Sequence, residues 1–274
     1  MSTRALTQIV NARASSDGDG VKIKRIAGRE AMQIMNPFLL LDEIRSEEGA
    51  DYVGGFPSHP HRGFETITYM LDGAMRHRDH MGNEGVIASG DVQWMTAGKG
   101  VIHSEMPEQE DGLLHGFQLW LNLPAAQKMQ PAAYQEITRQ QIPDIPLAGG
   151  GSLKLIAGEF GGMTGPVVTG DTSASYMDVN LPAHGAVQIP LNSAHNVIVL
   201  VFDGATSELS AGQMGVYRDG DSVTLTAAEP GARVLVLAGA PIDEPISHYG
   251  PFVMNTPEEI EQAIRDYNEG RLVA

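Results

Sequence analysis

Two pairs of side chains that commonly bind metals occur in the sequence, each with one residue between its members. They are His59/His61 and His103/Glu105, in the stretches FPSHPHRGFETITYMLDG and GDVQWMTAGKGVIHSEM. Residues two apart in a β-strand point to the same face, so each pair can direct both side chains into one cavity. If the two strands are neighbours, three imidazoles and one carboxylate converge. The spacing therefore predicts a metal site.

Three neutral imidazoles and a carboxylate suit a divalent transition metal. Fe(2+) is the commonest choice for such a donor set, and Mn, Ni, Cu and Zn are alternatives. Four protein ligands on an octahedral ion would leave two positions for substrate or dioxygen, as in the facial-triad oxygenases with one extra histidine. A purely structural metal would need no such open positions. The donor set therefore favours a reactive site.

The spacing leaves open which carboxylate is the ligand. Glu65 lies four residues after His61 and shares its strand parity, unless Gly63 interrupts the strand. It could replace Glu105 as the ligand. Alternatively, it could orient a ligand through a hydrogen bond or accept a proton.

Short strands and tight turns surround both pairs and must position them. The β-branched run Glu65–Leu71 ends at Asp72-Gly73, which is a hairpin signal. A longer apolar strand, His115–Leu123, is closed by Pro124. With 32 glycines and 16 prolines, the composition also favours an all-β fold with many turns.

We predict two tandem β-barrels of jelly-roll type. The first spans residues 1–124 and carries the metal ligands. A proline- and glutamine-rich linker follows at 125–151, and residues 152–274 form the second barrel. Asp203-Gly204 follows an apolar strand much as Asp72-Gly73 does, which indicates a weak internal duplication.

The chain is expected to finish with one helix, over residues 257–269. Thr256 is the predicted N-cap, Pro257 suits the first helical position, and Glu259 completes a capping box. Gly270 supplies the C-terminal stop. We expect this helix to dock on the body of the protein.

Composition excludes several classes of function. A formal net charge of −16 disfavours direct nucleic-acid binding, and the basic run of residues 21–30 is typical of a solvated strand edge. No cysteine is present, so disulfides and thiol nucleophiles are excluded. The N-terminus lacks the apolar run of a signal peptide, and no stretch approaches the ~20 apolar residues of a membrane span. These features predict a soluble cytoplasmic protein without a membrane partner.

The segments around both pairs resemble the two motifs of the cupin superfamily. The first motif, G-x5-H-x-H-x(3,4)-E-x6-G, is matched by Gly54 or Gly55, His59, His61, Glu65 and Gly73. The second, G-x5-P-x-G-x2-H-x3-N, is represented by Gly90, Gly98 or Gly100 and His103. It lacks the usual proline and ends in His-Ser-Glu. The pirin family fits this departure, because the two stretches above, HGFQLWLNLP and the tail EPISHYGPFVMNTPEEIEQAIRDYNEGR all resemble pirin.

The resemblance implies a bicupin with an N-terminal metal barrel and a C-terminal barrel without metal. It also implies iron as the usual metal and ligands equivalent to His59, His61, His103 and Glu105, so that Glu105 replaces Glu65 as the carboxylate ligand. The remaining histidines are then expected at turn, surface or hydrogen-bonded strand positions: His77, His80, His115, His184, His195 and His248.

Some pirins are similar in activity to quercetin 2,3-dioxygenases, which open the heterocycle of a flavonol and release carbon monoxide. By that resemblance the partner is a small aromatic substrate, and Glu105, or Glu65 nearby, would accept the proton of the flavonol 3-hydroxyl. The candidates for the apolar lining of the substrate site are Phe56, Met70, Trp94 and Trp120.

Two other functions are compatible with the same residues. Other pirins are non-catalytic regulators that bind transcription factors or metabolic enzymes in a way that depends on the oxidation state of the iron. The acidic charge of this chain would favour protein partners over DNA. Another cupin activity, such as an isomerase or a small-acid lyase, is the third alternative.

Overall fold

The computed structural model describes all residues, 1–274, and consists mainly of antiparallel β-strands, as predicted. The strands of the first half are β1 (Ala5–Asn11), β2 (Arg13–Asp17), β3 (Val21–Ala27), β4 (Phe38–Ser46), β5 (Phe56–His61), β6 (Phe64–Asp72), β7 (Met75–Asp79), β8 (Glu84–Ile87), β9 (Val92–Thr96), β10 (Val101–Pro107), β11 (Leu114–Asn122) and β12 (Ala133–Ile137). Those of the second half are β13 (Asp144–Pro146), β14 (Ser152–Ala157), β15 (Glu159–Phe160), β16 (Met163–Thr164), β17 (Ser175–Leu181), β18 (Ala186–Pro190), β19 (Asn196–Thr206), β20 (Gln213–Arg218), β21 (Ser222–Gly239), β22 (Ser247–Tyr249) and β23 (Phe252–Met254). The α-helices are α1 (Met32–Met35) and α2 (Pro257–Asn268).

The chain forms two compact units, and each is assembled from segments that are far apart in sequence. One unit, here the ligand unit, comprises Arg13–Arg29, Phe38–Arg139 and Ile242–Ala274. The other, here the apolar unit, comprises Met1–Ala12, Glu30–Pro37 and Gln140–Pro241. This division differs from the predicted limits of 1–124, 125–151 and 152–274. The reason is long-range pairing: β1 pairs with β20, and the segment after residue 241 packs beside β5 and β6.

The ligand unit contains two main antiparallel sheets and the separate two-stranded sheet of β22 and β23. The larger has the strand order β12-β9-β6-β11-β4-β3-β2, and the smaller has the order β5-β10-β7-β8. Strands β5 and β10 carry the two ligand pairs and are neighbours, as the spacing argument required. Both pairs therefore lie on the smaller sheet.

The apolar unit is built on one eight-stranded sheet with the order β1-β20-β19-β21-β17-β14-β13, in which β18 also pairs with β21. Its interior is filled by aliphatic side chains such as Leu155, Met177, Val199 and Val236, all fully buried. Tight packing of such residues stabilises the unit through burial of apolar surface. The runs of Val, Ile and Leu in β19 and β21 account for this interior.

The segment predicted as a linker, residues 125–151, contributes to both units. Strand β12 pairs with β9 in the ligand unit, and β13 pairs with β14 in the apolar unit. Lys128 and Ile137 are buried. The prolines and glutamines of this segment suggested a surface crossing, but a strand of five residues needs few apolar positions to pair at a sheet edge.

Helix α2 begins at Pro257, where the sequence predicted it, and ends one residue earlier than expected. Thr256 accepts a hydrogen bond from the Glu259 backbone N–H, and the Glu259 side chain accepts one from the Thr256 N–H, so the capping box is present. Ile260 and Ala263 pack on β23 in a small apolar cluster. Neither α-helix has the length and apolar character that crossing a bilayer would require.

Candidate metal centre

The pairing of β5 with β10 brings the two ligand pairs face to face. His103 lies directly opposite His59, and Val101 lies opposite His61. The register shifts between His103 and Glu105, where Glu105 pairs with Phe56. A bulge of this kind bends the strand and redirects the side chains beyond it.

The three imidazoles converge on one point. One ring nitrogen from each of His59, His61 and His103 lies within 4.8 Å of those of the other two. His61 and His103 are buried, whereas His59 is partly exposed. The structure therefore brings together the three histidines that the sequence predicted to converge from these two strands.

Hydrogen bonds at Nδ1 fix the protonation pattern of the first two rings. His59 Nδ1 lies 2.8 Å from the carbonyl oxygen of Pro57, and His61 Nδ1 lies 3.4 Å from that of Pro251. A carbonyl oxygen can only accept, so in both neutral rings Nδ1 carries the hydrogen and donates it. Each ring is then left with a lone pair on Nε2.

His103 takes the same tautomer when its Nδ1–H donates to a partner that the sequence did not identify. Its Nδ1 lies 2.9 Å from Nε2 of His77, and its own Nε2 is buried without a hydrogen-bond partner. His77 is fully buried on β7. His77 and the exposed Arg78 are adjacent on this strand and therefore point to opposite faces. This alternation of side chains could have identified His77 as an inward residue.

The Nε2 atoms of His59 and His61 are separated by a distance that suits a bound cation. His59 Nε2 and His61 Nε2 lie 3.0 Å apart, which is unfavourable for two acceptors unless a positive charge lies between them. Two nitrogens about 2.1 Å from a metal and at a right angle to each other are about 3 Å apart. The separation thus matches adjacent ligands of one ion. The residues fit a divalent metal.

The pKa values of the buried rings favour the neutral, metal-binding form. Burial, followed by repulsion from His59, lowers the pKa of His61 well below its usual value. Burial, followed by repulsion from His61, has the same effect on the pKa of His103. Both rings are therefore neutral at pH 7, with their Nε2 lone pairs available.

The structure places Glu105, and not Glu65, on the cavity next to the imidazoles. Glu105 is buried and lines the same cavity as His59 and His61, and its Oε1 accepts a hydrogen bond from the Thr68 hydroxyl at 3.0 Å. Its carboxylate does not belong to the group of three close nitrogens.

Glu65 forms hydrogen bonds with other residues and does not line the cavity. Its two oxygens accept hydrogen bonds from Trp94 Nε1 at 3.0 Å and from Thr96 Oγ1 at 2.6 Å. Burial raises the pKa of Glu65, although both hydrogen bonds lower it. In the structure this carboxylate therefore holds β6 to β9.

His59, His61 and Glu105 border a cavity of about 750 Å³. Two of the four predicted lining residues, Phe56 and Trp120, lie in its wall. The other two do not. Met70 packs in an apolar core cluster, and Trp94 is buried with its indole N–H donated to Glu65. The reasons differ: Met70 shares the strand parity of Thr68 but is enclosed in that core cluster, whereas Trp94 lies opposite Ile67 on the other face of the sheet.

One side of the cavity wall is polar. Arg25 donates to both carboxylate oxygens of Asp42, at 3.0 and 2.8 Å, and also to Asp17 at 3.0 Å. Gln118 and Asp19 line the same cavity. Because Arg25 is neutralised by two carboxylates, this side offers mainly hydrogen-bond acceptors.

The C-terminal segment forms another part of the wall. His248, Gly250 and Pro251 line the cavity, and the Pro251 carbonyl is the hydrogen-bond partner of His61. His248 donates from Nε2 to the carbonyl of Gly250 at 2.9 Å. Sequence reasoning assigned no role to this histidine, since a single residue nearly 190 positions from His61 gives no spacing signal.

Two buried cations hold the C-terminal segment in place. Arg62, next to His61, donates to Asp266 at 2.8 Å and to the carbonyls of Lys99 and Leu272. Lys128 donates to the carbonyls of Gly63 and Val253, at 2.7 and 3.1 Å, and to Asn122 Oδ1 at 2.6 Å. We call these two residues the C-terminal anchors.

Antiparallel sheets with three converging imidazoles on adjacent strands are typical of a cupin unit with a candidate metal site. Comparison with protein families agrees: residues 20–121 match the model described as Pirin, and residues 176–273 match the model described as the Pirin C-terminal cupin domain. The chain belongs to the pirin family.

Relatives of known name span nearly the full length of the chain. The chain is 46% identical over 280 residues to a Pseudomonas aeruginosa protein provisionally named a quercetin 2,3-dioxygenase, with 98% of each chain covered. It is 37% identical over 280 residues to human pirin, with 98% of this chain and 94% of the relative covered. The crystal structure of a quercetin 2,3-dioxygenase from Acinetobacter baumannii superposes with a TM-score of 0.92 at 36% identity, covering 100% and 99% of the two chains. Family membership and the three-histidine cluster together indicate a divalent metal.

Proposed function

We propose that the chain is an iron-dependent dioxygenase that cleaves flavonols, of the quercetin 2,3-dioxygenase type. The observation that carries the proposal is the convergence of one ring nitrogen from each of three histidines beside a cavity large enough for a small aromatic molecule. The names of the Pseudomonas and Acinetobacter relatives support the same activity. In this reaction the flavonol and dioxygen give an opened ester and carbon monoxide.

Fe(2+) is the metal we propose, with His59, His61, His103 and Glu105 as its ligands. Three imidazoles and one carboxylate form a mixed nitrogen and oxygen donor set, which suits iron. Thiolate-rich donor sets, in contrast, select zinc or copper. When bound, the ion would supply Lewis acidity toward a flavonol oxygen and the capacity to react with dioxygen.

The chain's own residues would bind and orient the substrate. Phe56 and Trp120 provide apolar walls for planar rings and exclude water from the metal side of the cavity. The acceptor-rich side, with Asp42 and Gln118, suits the hydroxyl groups of a polyphenol. Glu105, which lies on the cavity beside the imidazoles, would accept the proton of the flavonol 3-hydroxyl.

The test is a quercetin assay on protein reconstituted with Fe(2+) under anaerobic conditions and then exposed to oxygen. Consumption of quercetin and release of carbon monoxide are measured together. We expect turnover in the wild type and a loss of at least about 100-fold in His59→Ala and Glu105→Ala. Glu110→Ala, which changes an exposed carboxylate, is the matched control and should retain full activity.

An absence of turnover by protein that contains one iron per chain would contradict the enzymatic proposal. It would favour the regulatory alternative, in which the family's iron site modulates binding to protein partners. Equal activity of Glu105→Ala and Glu110→Ala would contradict the role assigned to Glu105.

A further inference from the structure

Polar side chains form a continuous row across the larger sheet of the ligand unit. The strand register places Gln93 opposite Thr68, Thr68 opposite Gln118, and Gln118 opposite Asp42. Residues directly opposite each other in a sheet share a face. Gln118 and Asp42 line the cavity, so this row faces the metal centre.

Thr68 connects this row to Glu105. Its hydroxyl oxygen lies 3.0 Å from Glu105 Oε1 and 2.8 Å from the Gln118 side-chain amide, at Oε1. A hydroxyl has one hydrogen to donate, and two acceptors cannot both receive it. The carboxylate is the stronger acceptor because its hydrogen bonds are charge-assisted.

The conflict is resolved by the orientation of the Gln118 amide. Half a turn about its terminal bond exchanges the oxygen and the nitrogen without moving any neighbour, and the amide N–H then donates to the Thr68 oxygen. The hydrogen bonds run in one direction, from the Gln118 N–H to the Thr68 hydroxyl and from that hydroxyl to Glu105. The Thr68 hydroxyl then accepts one hydrogen bond and donates one.

We propose that Gln118 and Thr68 are positioning residues for Glu105. They hold Oε1 so that the carboxylate keeps one orientation toward the imidazole cluster. Thr68 and Glu105 are both nine-tenths buried, at 6% and 5% exposure, so water does not substitute for the lost bond. The inference rests on the metal centre and on the ligand role proposed above for Glu105.

The consequence is an effect on metal affinity from residues that do not bind the metal. Hydrogen-bond partners of ligands typically contribute about 10- to 100-fold to affinity. Thr68→Val keeps the shape of the side chain and removes its hydroxyl. Thr68→Ser keeps the hydroxyl and removes a methyl group.

The experiment measures the affinity of metal-free protein for Ni(2+) by competition with a chromophoric chelator, which needs no enzymatic activity. We expect Thr68→Val to bind at least about 10-fold more weakly than the wild type. Thr68→Ser should restore affinity to within about 3-fold. The control is Thr66→Val, which removes a hydroxyl from an equally buried residue of the same strand and face. Gln118→Leu, at the cavity wall, removes the amide that donates to the Thr68 hydroxyl. It provides a second variant if Thr68→Val fails to fold.

The outcomes separate this inference from the one on which it rests. If the wild type binds Ni(2+) and Thr68→Val matches Thr66→Val, the positioning role is wrong while the metal centre stands. If Thr68→Ser is as weak as Thr68→Val, the effect comes from packing and the role is also wrong. A wild type that binds no Ni(2+) overturns both the metal centre and the positioning role.

Discussion

At the scale of single residues, the hydrogen bonds at Nδ1 are as informative as the position of the rings. Nδ1 of each of the three histidines has a hydrogen-bond partner, and the Nε2 atoms of His59 and His61 face each other. For His103 the partner is His77: when His103 keeps its Nε2 lone pair for a metal, its Nδ1–H donates to His77 Nε2, and the hydrogen of His77 then lies on Nδ1. His77 thus sets the tautomer of a candidate ligand without binding the metal itself.

We expect His77→Phe to weaken the binding of Ni(2+) by at least about 10-fold, because the Nδ1–H of His103 would lose its buried acceptor. The phenyl ring fills a similar volume, so the fold should be retained. Competition titration of the metal-free protein measures the effect. His80→Phe, which alters an exposed histidine three residues later, is the control. Equal affinity of the two variants would contradict the role of His77.

The residues that the sequence identified are those that act in pairs along one strand. His59/His61 and His103/Glu105 are recognisable because side-chain alternation makes a spacing of two meaningful. His77 lacks a partner on its own strand, and its role depends on the register between β7 and β10. Register is a long-range property, so no spacing within β7 encodes it.

At the scale of elements, the cavity depends on a segment that the sequence assigned to the other barrel. Residues 242–274 belong to the ligand unit, and Pro251 on this segment contacts His61. The anchors Arg62 and Lys128 join it to the strands that carry the ligands. Burial lowers the pKa of Lys128 to about 8, so its ammonium remains charged at pH 7 and can donate all three hydrogen bonds.

We expect Lys128→Met to lower the free energy of unfolding by about 3 kcal/mol, since it leaves three buried acceptors without donors. Lys99→Met removes an exposed lysine of the same unit and should change stability by less than about 0.5 kcal/mol. Urea denaturation of both variants provides the comparison. If the Lys128→Met protein were as stable as the Lys99→Met protein, Lys128 would not stabilise the fold.

The sequence predicted most local elements but not their grouping. The capping box of α2 depends on neighbouring residues and was therefore predictable. The turn at Asp72-Gly73 ends β6, but the hairpin predicted there was wrong: β6 pairs with β9 and β11, whereas β7 pairs with β8 and β10. Arg62 meets Asp266 across 204 residues, and nothing in the sequence around either residue indicates the other. The assignment of the C-terminal helix to the ligand unit could only come from the structure.

At the scale of the whole molecule, the two units have similar strands but different interiors. The apolar unit is filled by aliphatic side chains, whereas the ligand unit has a row of buried or half-buried polar groups that includes Thr68 and Asp42. Burying polar groups costs stability unless they are hydrogen-bonded. The ligand unit retains them beside a cavity, which is typical of a functional interior.

This difference predicts a pH dependence for the metal-free protein. The pKa values of His61 and His103 are lowered in the folded state, mainly by burial, while in the unfolded chain both titrate near about 6.5. Below that pH the unfolded chain binds protons that the folded chain excludes. The free energy of unfolding should therefore fall with decreasing pH, by up to about 1.4 kcal/mol per pH unit for each ring.

Thermal and urea unfolding between pH 7.5 and 5 would measure this slope. The double variant His61→Phe, His103→Phe removes both groups and should show a shallower decline. His184→Gln, at an exposed histidine of the apolar unit, should retain the wild-type slope. A wild type whose stability declines no faster than that of the double variant would contradict the buried, neutral state of the two rings.

X-ray absorption at the nickel edge of Ni(2+)-loaded protein tests the metal centre most directly, because it counts imidazole ligands without reference to activity. We predict one nickel per chain with a nitrogen and oxygen shell at about 2.1 Å and the multiple-scattering pattern of three imidazoles, reduced to two in His59→Ala. A shell without imidazole scattering, or a protein that retains no stoichiometric nickel, would contradict the account.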